Sequence, residues 1–243
     1  MIDLATRTAL ERRHYPELQA VVFDCVRAAL EQRLPNGARV LDSGSGPGSW
    51  LLQEQRALHP GRIALLVGQD VYLPDTSQLD AFVLASTEAL PFADGCLDLV
   101  LAYNVIEHLP DPPAAFREVA RVLKPGGVFV LKTPTAHTPV FALARLLPTR
   151  WHQQLKSGVG VAAEEVFPTH YRANSLRALE RALSSAGLRR DWVYTVDQTY
   201  AYCSQRRWTY TLGLRYSRAT RGRGLAWLRN QIVAFYRKPE ETA

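Results

Sequence analysis

The chain has 243 residues, 47% of them hydrophobic and 21% charged, enough for a sizeable core in one large domain or a domain with a lid. This balance excludes a disordered tail, a collagen-like chain and a disulfide scaffold. The net charge of +6 is unevenly placed: residues 189–243 hold 11 basic and 4 acidic side chains, residues 1–188 hold 18 and 19. Such a basic part can meet nucleic acid, anionic lipid or an acidic substrate, or be a solvated arginine-rich surface.

The three cysteines, Cys25, Cys96 and Cys203, are scattered. They make neither a paired framework nor a Cys-x-x-Cys site, and free thiols suit a reducing compartment. No apolar run approaches the ~18 residues of a spanning helix. The N-terminus soon meets Glu11, Arg12 and Arg13, and lacks the apolar core of a signal peptide. The expectation is a soluble, cytoplasmic protein.

Leu18, Val22, Cys25, Val26 and Leu30 recur near the helical period, so residues 4–33 read as helix. Pro35-Asn36-Gly37 stops it. Strands are predicted near 38–43, 62–69, 81–86, 97–103 and 127–133, with helices near 48–58 and 112–123. Asp111 caps the latter, Pro112 opens it, and Lys124-Pro125-Gly126-Gly127 ends it. The connection from Asp70 to Ala81 is too short for a full crossover helix. Residues 134–173 read as a lid, with the apolar stretch Val140–Leu147. A helix capped by Asn174 follows, then a strand at 190–197, a basic, partly helical stretch at 210–230, and a last strand at 231–237. This alternation predicts an α/β, Rossmann-like doubly wound sheet, with sites at the carboxyl ends of its strands. One domain divides into an N-terminal helical segment (1–37), a ligand-binding core (38–133), the lid (134–173) and a C-terminal part (174–243).

Four motifs carry chemistry. In Val40-Leu41-Asp42-Ser43-Gly44-Ser45-Gly46-Pro47-Gly48 a strand runs into a glycine turn and then a helix. Glycine permits close backbone approach, and the helix N-terminus offers free N–H groups. Asp42 ahead of the turn repels pyrophosphate and attracts a cation. In Leu65-Leu66-Val67-Gly68-Gln69-Asp70 an apolar strand ends in one carboxylate, placed to accept from ribose hydroxyls or to sit in a solvated turn. The third runs from Ser86-Thr87-Glu88-Ala89-Leu90-Pro91-Phe92 to Tyr103-Asn104-Val105-Ile106-Glu107-His108-Leu109. The fourth is Arg121-Val122-Leu123-Lys124-Pro125-Gly126-Gly127.

Taken in order, these motifs resemble the class I S-adenosylmethionine-dependent methyltransferases, in the small-molecule branch (the type 11 domain) of the ubiquinone/menaquinone-biosynthesis enzymes. The resemblance covers residues 38–133. It implies a seven-stranded sheet with an antiparallel last strand and S-adenosyl-L-methionine as donor, leaving S-adenosyl-L-homocysteine. It also implies roles by position. Asp42, Gly44, Ser45, Gly46 and Gly48 hold the methionine part; Asp70 holds the ribose; Val71 packs on adenine; Thr87 and Glu88 lie at the adenine edge; Asn104 borders the methionine amino group. The family often carries Asp where this chain has Ser86, which accepts from adenine without charge.

Candidate bases for the acceptor are His108, after the fourth strand, and His170 and Tyr171, after the lid. No metal cluster is readable. The lid's apolar stretch with Trp151 fits a lipid-like or aromatic acceptor, a membrane surface or simple lid core. The expected reaction is transfer to a small or lipid-like acceptor at oxygen or carbon. Three other readings stand beside it: a non-catalytic donor-binding or partner-binding protein, an RNA methyltransferase using the basic part with Trp208, Tyr210 and Trp227, and a nicotinamide-dependent oxidoreductase. Asn-Val-Ile after the fourth strand, where base-amino methyltransferases carry Asn-Pro-Pro-Tyr, argues against nucleic acid.

Overall fold

The apolar runs between glycine and proline breakers become strands, and the periodic segments become helices. The structure is a computed structural model that describes residues 2–18, 27, 30–31, 33–46, 48, 50–73, 79–135, 138, 168–222 and 224–240. In chain order the elements are α1 (Leu4–His14), β1 (Ala38–Ser43), α2 (Trp50–Leu58), β2 (Ile63–Asp70), β3 (Ala81–Leu84), β4 (Leu97–Tyr103), α3 (Pro112–Val122), β5 (Leu123–Pro134), α4 (Leu176–Ser185), β6 (Arg189–Val196), α5 (Thr199–Tyr202), α6 (Arg207–Ala219) and β7 (Gln231–Arg237). Short 3₁₀ turns lie at Ile106–His108 and Ala226–Leu228.

The described residues divide into two compact units. The first comprises residues 26–134, 169–194 and 232–243 and carries nearly all of the sheet. The sheet order is β3-β2-β1-β4-β5-β7-β6. The chain winds outward from β1 to β3, then crosses to β4 on β1's other side, all by parallel pairing. Such a reversal opens a crevice at the carboxyl ends of the two central strands. β7 runs antiparallel to β5. The Gly126 and Lys238 amides at one end donate to Lys238 and Gly127 carbonyls, and at the other end Thr135 N–H donates to the Asn230 carbonyl.

Both sheet faces are covered, so the central strands are buried along their length. Leu41, Val100, Phe129 and Leu131 pack with Phe116 and Val119 of α3 and Leu179 and Leu183 of α4. On the other face Val40, Leu66, Leu99 and Val130 pack with Leu51 and Leu52 of α2 and with Leu30 and Leu34.

Three local expectations need correction. Residues 4–33 are not one continuous helix: α1 ends at His14, where Tyr15 leaves helical geometry (φ −149°, ψ 66°), while Leu18, Arg27, Leu30, Glu31 and Arg33 are helical and residues 19–26 lie outside the described set. Asn174 does not cap α4. Ser175 does, accepting from the Ala178 amide at 3.2 Å. Lys124–Gly127 ends α3 but belongs to β5. It forms a bulge, since the β4–β5 register jumps from Leu97↔Leu123 to Leu99↔Val128. A Cβ on Gly127 would lie 2.8 Å from the Lys124 carbonyl oxygen, so the bulge needs glycine there. The lid's apolar stretch and Trp151 lie outside the described residues.

The second unit comprises residues 1–25, 135–168 and 195–231. α6 packs on α5 at Gly213, where a Cβ would come within 2.6 Å of Tyr200 Cα. Beside this contact Asp197, 2% exposed, accepts from the Thr199 amide and hydroxyl, each at 2.9 Å, and from the Ser217 hydroxyl. No helix among the described residues is long and apolar enough to cross a membrane.

Candidate active site

The turn after β1 begins with two amides, Gly44 and Ser45, that donate to the Gln69 carbonyl at 2.7 and 3.1 Å. Gly44 (φ +72°) and Gly46 (φ +53°) take left-handed backbone, which β-carbon-bearing residues avoid. The next amide, Gly46 N–H, donates to Asp70 Oδ2 at 2.9 Å, and Asp70 Oδ1 accepts from Val71 N–H at 2.7 Å. Each carboxylate oxygen keeps a further lone pair. Asp42 and Asp70, 5% and 8% exposed, therefore flank the turn from the ends of two adjacent strands. Val71, the first residue beyond β2, presents its side chain at the surface, 60% exposed.

The side chains of Thr87 and Glu88 make hydrogen bonds within the fold. Thr87 is buried, with its hydroxyl 2.8 Å from Ser43 Oγ, and both hydroxyls donate toward Gln69 Oε1 (3.3 and 2.7 Å). Gln69 in turn donates to the Ala85 carbonyl. This buried triad locks the carboxyl ends of β1 and β2 to the segment after β3. Glu88 Oε1 accepts from Asp111 N–H at the start of α3, and Ser86 Oγ accepts from Glu88 N–H at 3.1 Å. Two quoted motifs prove to be halves of one contact: Arg121 donates to the Leu90 and Phe92 carbonyls and to Glu118 and Asp94.

Beyond β4 the chain turns at Asn104, which has left-handed backbone (φ +58°) and donates its amide to the Lys132 carbonyl at 2.8 Å. Around this turn lies a polar cluster that motif reading missed. Lys132, 7% exposed, places its amine 4.4 Å from the centroid of the Tyr103 ring and 3.4 Å from Asn104 Oδ1. Burial pushes this amine down to about 8, against the opposing charge of Glu107. Burial also raises the Tyr103 phenol to about 12 and the Glu107 carboxyl above its ordinary range. Thr133 Oγ1 donates to Glu107 Oε2 at 2.9 Å and accepts from Asn174 Nδ2 at 2.6 Å. The same Asn174 amide donates to the Pro134 carbonyl at 2.9 Å.

His170 and Tyr171 reach this cluster through their backbone. Both amides donate to the Glu107 carbonyl, at 2.7 and 3.1 Å, and Tyr171 takes φ +51°. Their side chains are exposed. His108 sits half-buried in the 3₁₀ turn. Thus the turn residues, Asp70 and Val71 form one group, and Asn104, His108, His170 and Tyr171 gather around Glu107 and Lys132. Thr87 and Glu88 are drawn into the scaffold. Among the described residues no group of three or more His, Cys, Asp or Glu side chains is arranged to hold a metal. In the second unit Trp208 and Trp227 are exposed, whereas Tyr210 is buried with its hydroxyl on Glu11.

The arrangement suits a ligand with hydroxyls for Asp70, a flat apolar group for Val71 and a positive charge for the two carboxylates. Comparison with known proteins identifies the fold and the family. A methyltransferase-domain family model matches residues 13–191. An uncharacterized methyltransferase of Mycobacterium sp. (strain KMS) is 37% identical over 125 residues, 46% of this chain and 44% of the relative. A ubiquinone biosynthesis O-methyltransferase of Xanthomonas oryzae pv. oryzae (strain PXO99A) is 34% identical over 151 residues, 56% of this chain and 61% of the relative. The match thus spans less than two thirds of either relative's length. Solved structures share the fold at low identity. A SAM-dependent methyltransferase from Methanosarcina mazei superposes with TM-score 0.56 at 17% identity, covering 87% of this chain and 97% of its own. The geranyl diphosphate C-methyltransferase of Streptomyces coelicolor A3(2) superposes with TM-score 0.54 at 16% identity, covering 88% and 78%. With the family model spanning most of the chain and the strand order matching the expected sheet, the chain belongs to the methyltransferase-domain family.

Proposed function

We infer that the protein transfers a methyl group from S-adenosyl-L-methionine to a small or lipid-like acceptor, at oxygen or carbon. The observation that carries this reading is the pair of buried carboxylates, Asp42 and Asp70, on either side of a left-handed glycine turn. The residues fit the donor. Asp70 keeps lone pairs for the ribose diol, and Val71 offers an apolar face for adenine. Asp42 and the turn suit the ammonium and sulfonium end, and Asn104 stands where the methionine amino group would lie. Ser86 offers adenine an uncharged acceptor, and Glu88 keeps its second carboxylate oxygen beyond the bond from Asp111 N–H.

When bound, the donor supplies an already activated methyl group, so this chain's work is alignment. We read the polar cluster at Glu107 as the start of the acceptor side of the site. His170, Tyr171 and His108 stand around it as candidate groups to hold or remove an acceptor proton. A lipid-like acceptor is supported by the Xanthomonas relative's part in ubiquinone biosynthesis and by the Streptomyces structure, which holds geranyl diphosphate with S-adenosyl-L-homocysteine. The reading extends to a cytoplasmic protein that reaches a lipid-like acceptor at a membrane surface.

Two measurements test it. Calorimetry should show saturable binding of S-adenosyl-L-homocysteine and none of NADH. Labelled donor incubated with aqueous and lipid extracts should yield a labelled product in one of them. Tight donor binding with no product from any extract would leave a binding protein of the same fold. No binding of S-adenosyl-L-homocysteine would overturn the function altogether.

A further inference from the structure

The parallel register places Lys132 on the donor side of the sheet. Asp42, Leu101 and Val130 are register partners across β1, β4 and β5. Partners in a parallel ladder share a face, and residues two apart on one strand share it too. Tyr103 and Lys132, the last β4–β5 pair, therefore stand one level beyond Asp42 on the same face, two strands or roughly 10 Å across from the glycine turn. An acceptor approaching the donor from the β5 side of the site would meet this pair.

The Lys132 amine is short of acceptors there. An ammonium has three N–H donors. Among the described residues its hydrogen-bond partner is Asn104 Oδ1, at a long 3.4 Å, and its other neighbour is the Tyr103 ring. Glu107 favours the charge electrostatically, but its carboxylate takes the Thr133 hydroxyl. A purely structural lysine, at a position its β5 neighbours fill with apolar side chains, would be costly to bury with so little in return.

We propose that Lys132 is the acceptor-binding residue, whose amine receives the acidic hydroxyl of a phenol-type acceptor and takes its proton. This rests on the methyl-transfer reading. The hydroxyl proton passes to Nζ, and an oxygen lone pair forms the new O–C bond. The bond from that methyl to sulfur breaks, its electron pair remains on sulfur, and the proton later leaves Nζ for water. Among the described residues the titratable groups around the amine are Tyr103 from β4 and Glu107, with His108 beside it, from the turn that follows. The desolvated amine is matched to a phenol, whose ordinary pKa of about 10 is within reach of it. An aliphatic alcohol is too weakly acidic for the same transfer.

The test uses the full chain, its Lys132→Met and Lys132→Arg variants, and 4-nitrophenol as probe, because its ionised form is coloured. All three proteins should bind S-adenosyl-L-homocysteine within about twofold of each other, which also reports correct folding. With that ligand bound, wild type at pH 6 should show the phenolate colour of bound 4-nitrophenol, and cyclohexanol should compete poorly with it. Lys132→Met should lose the colour, and Lys132→Arg should keep it. Turnover of phenols with labelled donor should fall about a hundredfold or more in both variants. The wild-type rise in rate through pH 8 should vanish in Lys132→Arg, which cannot become neutral. Undiminished colour in Lys132→Met, or none in wild type with the ligand bound, overturns the assignment and leaves donor binding intact. Failure of wild type to bind S-adenosyl-L-homocysteine instead removes the methyl-transfer reading itself.

Discussion

Asp70 Oδ2 accepts the Gly46 amide at 2.9 Å, so the residue expected to grip the donor's ribose also braces the turn expected to grip its methionine. Asp70→Ala should weaken S-adenosyl-L-homocysteine binding by about 1–3 kcal/mol, because charge-assisted bonds are lost. Asp70→Asn retains one carbonyl acceptor and should cost less. Calorimetry decides the point, and unchanged affinity in Asp70→Ala would remove this carboxylate from the site.

Gly44 is required twice over. Its φ of +72° costs a residue with a β-carbon roughly 1–2 kcal/mol, and an added Cβ would lie 2.4 Å from Val105 Cγ2. Gly44→Ala should therefore destabilise the fold by more than the backbone cost alone. Adding Val105→Ala relieves the clash and not the strain. Urea denaturation should show the backbone penalty persisting beneath whatever the second substitution costs by itself.

Gln69 is the shared acceptor of two buried hydroxyls and a donor to the Ala85 carbonyl. Gln69→Leu should cost about 1–3 kcal/mol, since these groups lose their partner without reaching water. Added Ser43→Ala and Thr87→Val should recover part of that loss, because fewer polar groups are then stranded. A triple variant no more stable than Gln69→Leu would show that the triad is not a stabilising unit.

Asp197 gives stability a pH dependence of definite sign. Burial raises its carboxyl above the ordinary value of 3.8, although Ser217 and Thr199 hydrogen bonds pull the other way. Across the window from 3.8 up to the raised value, the folded chain holds the proton more firmly than the unfolded chain. Its contribution therefore declines as pH rises through that window and is constant above it. Asp197→Asn has no such proton. Urea midpoints of the two proteins from pH 3.5 to 7 should differ in slope over the acidic part of the range; parallel curves would contradict the assignment.

Strands β1, β2 and β5 were legible because each is an apolar run closed by glycine, proline or a lone carboxylate, and β3 and β4 because each is an apolar run that gives way to polar residues, Ser86 and Asn104. Lys124–Gly127 was legible only as a stop, because a bulge is defined by the partner strand's register. Asn174 and Ser175 are equally good caps in isolation. The choice is made by Thr133 and Pro134, forty residues earlier, which claim the asparagine. The side-chain bonds of Glu88 and Thr87 were illegible for the same reason: Asp111 and Gln69 recruit them through space. Lys132 gave no signal at all, since a lysine near a strand end reads as a solvated edge until its burial is known.

The bonds from Asn174 to Thr133 and Pro134 pin the chain at both the exit from β5 and the return to α4. One amide side chain therefore joins the last two residues of the strand to the position just before the helix cap. It works as a rivet: its removal strands a buried hydroxyl and a carbonyl together, so that one substitution unfastens two elements.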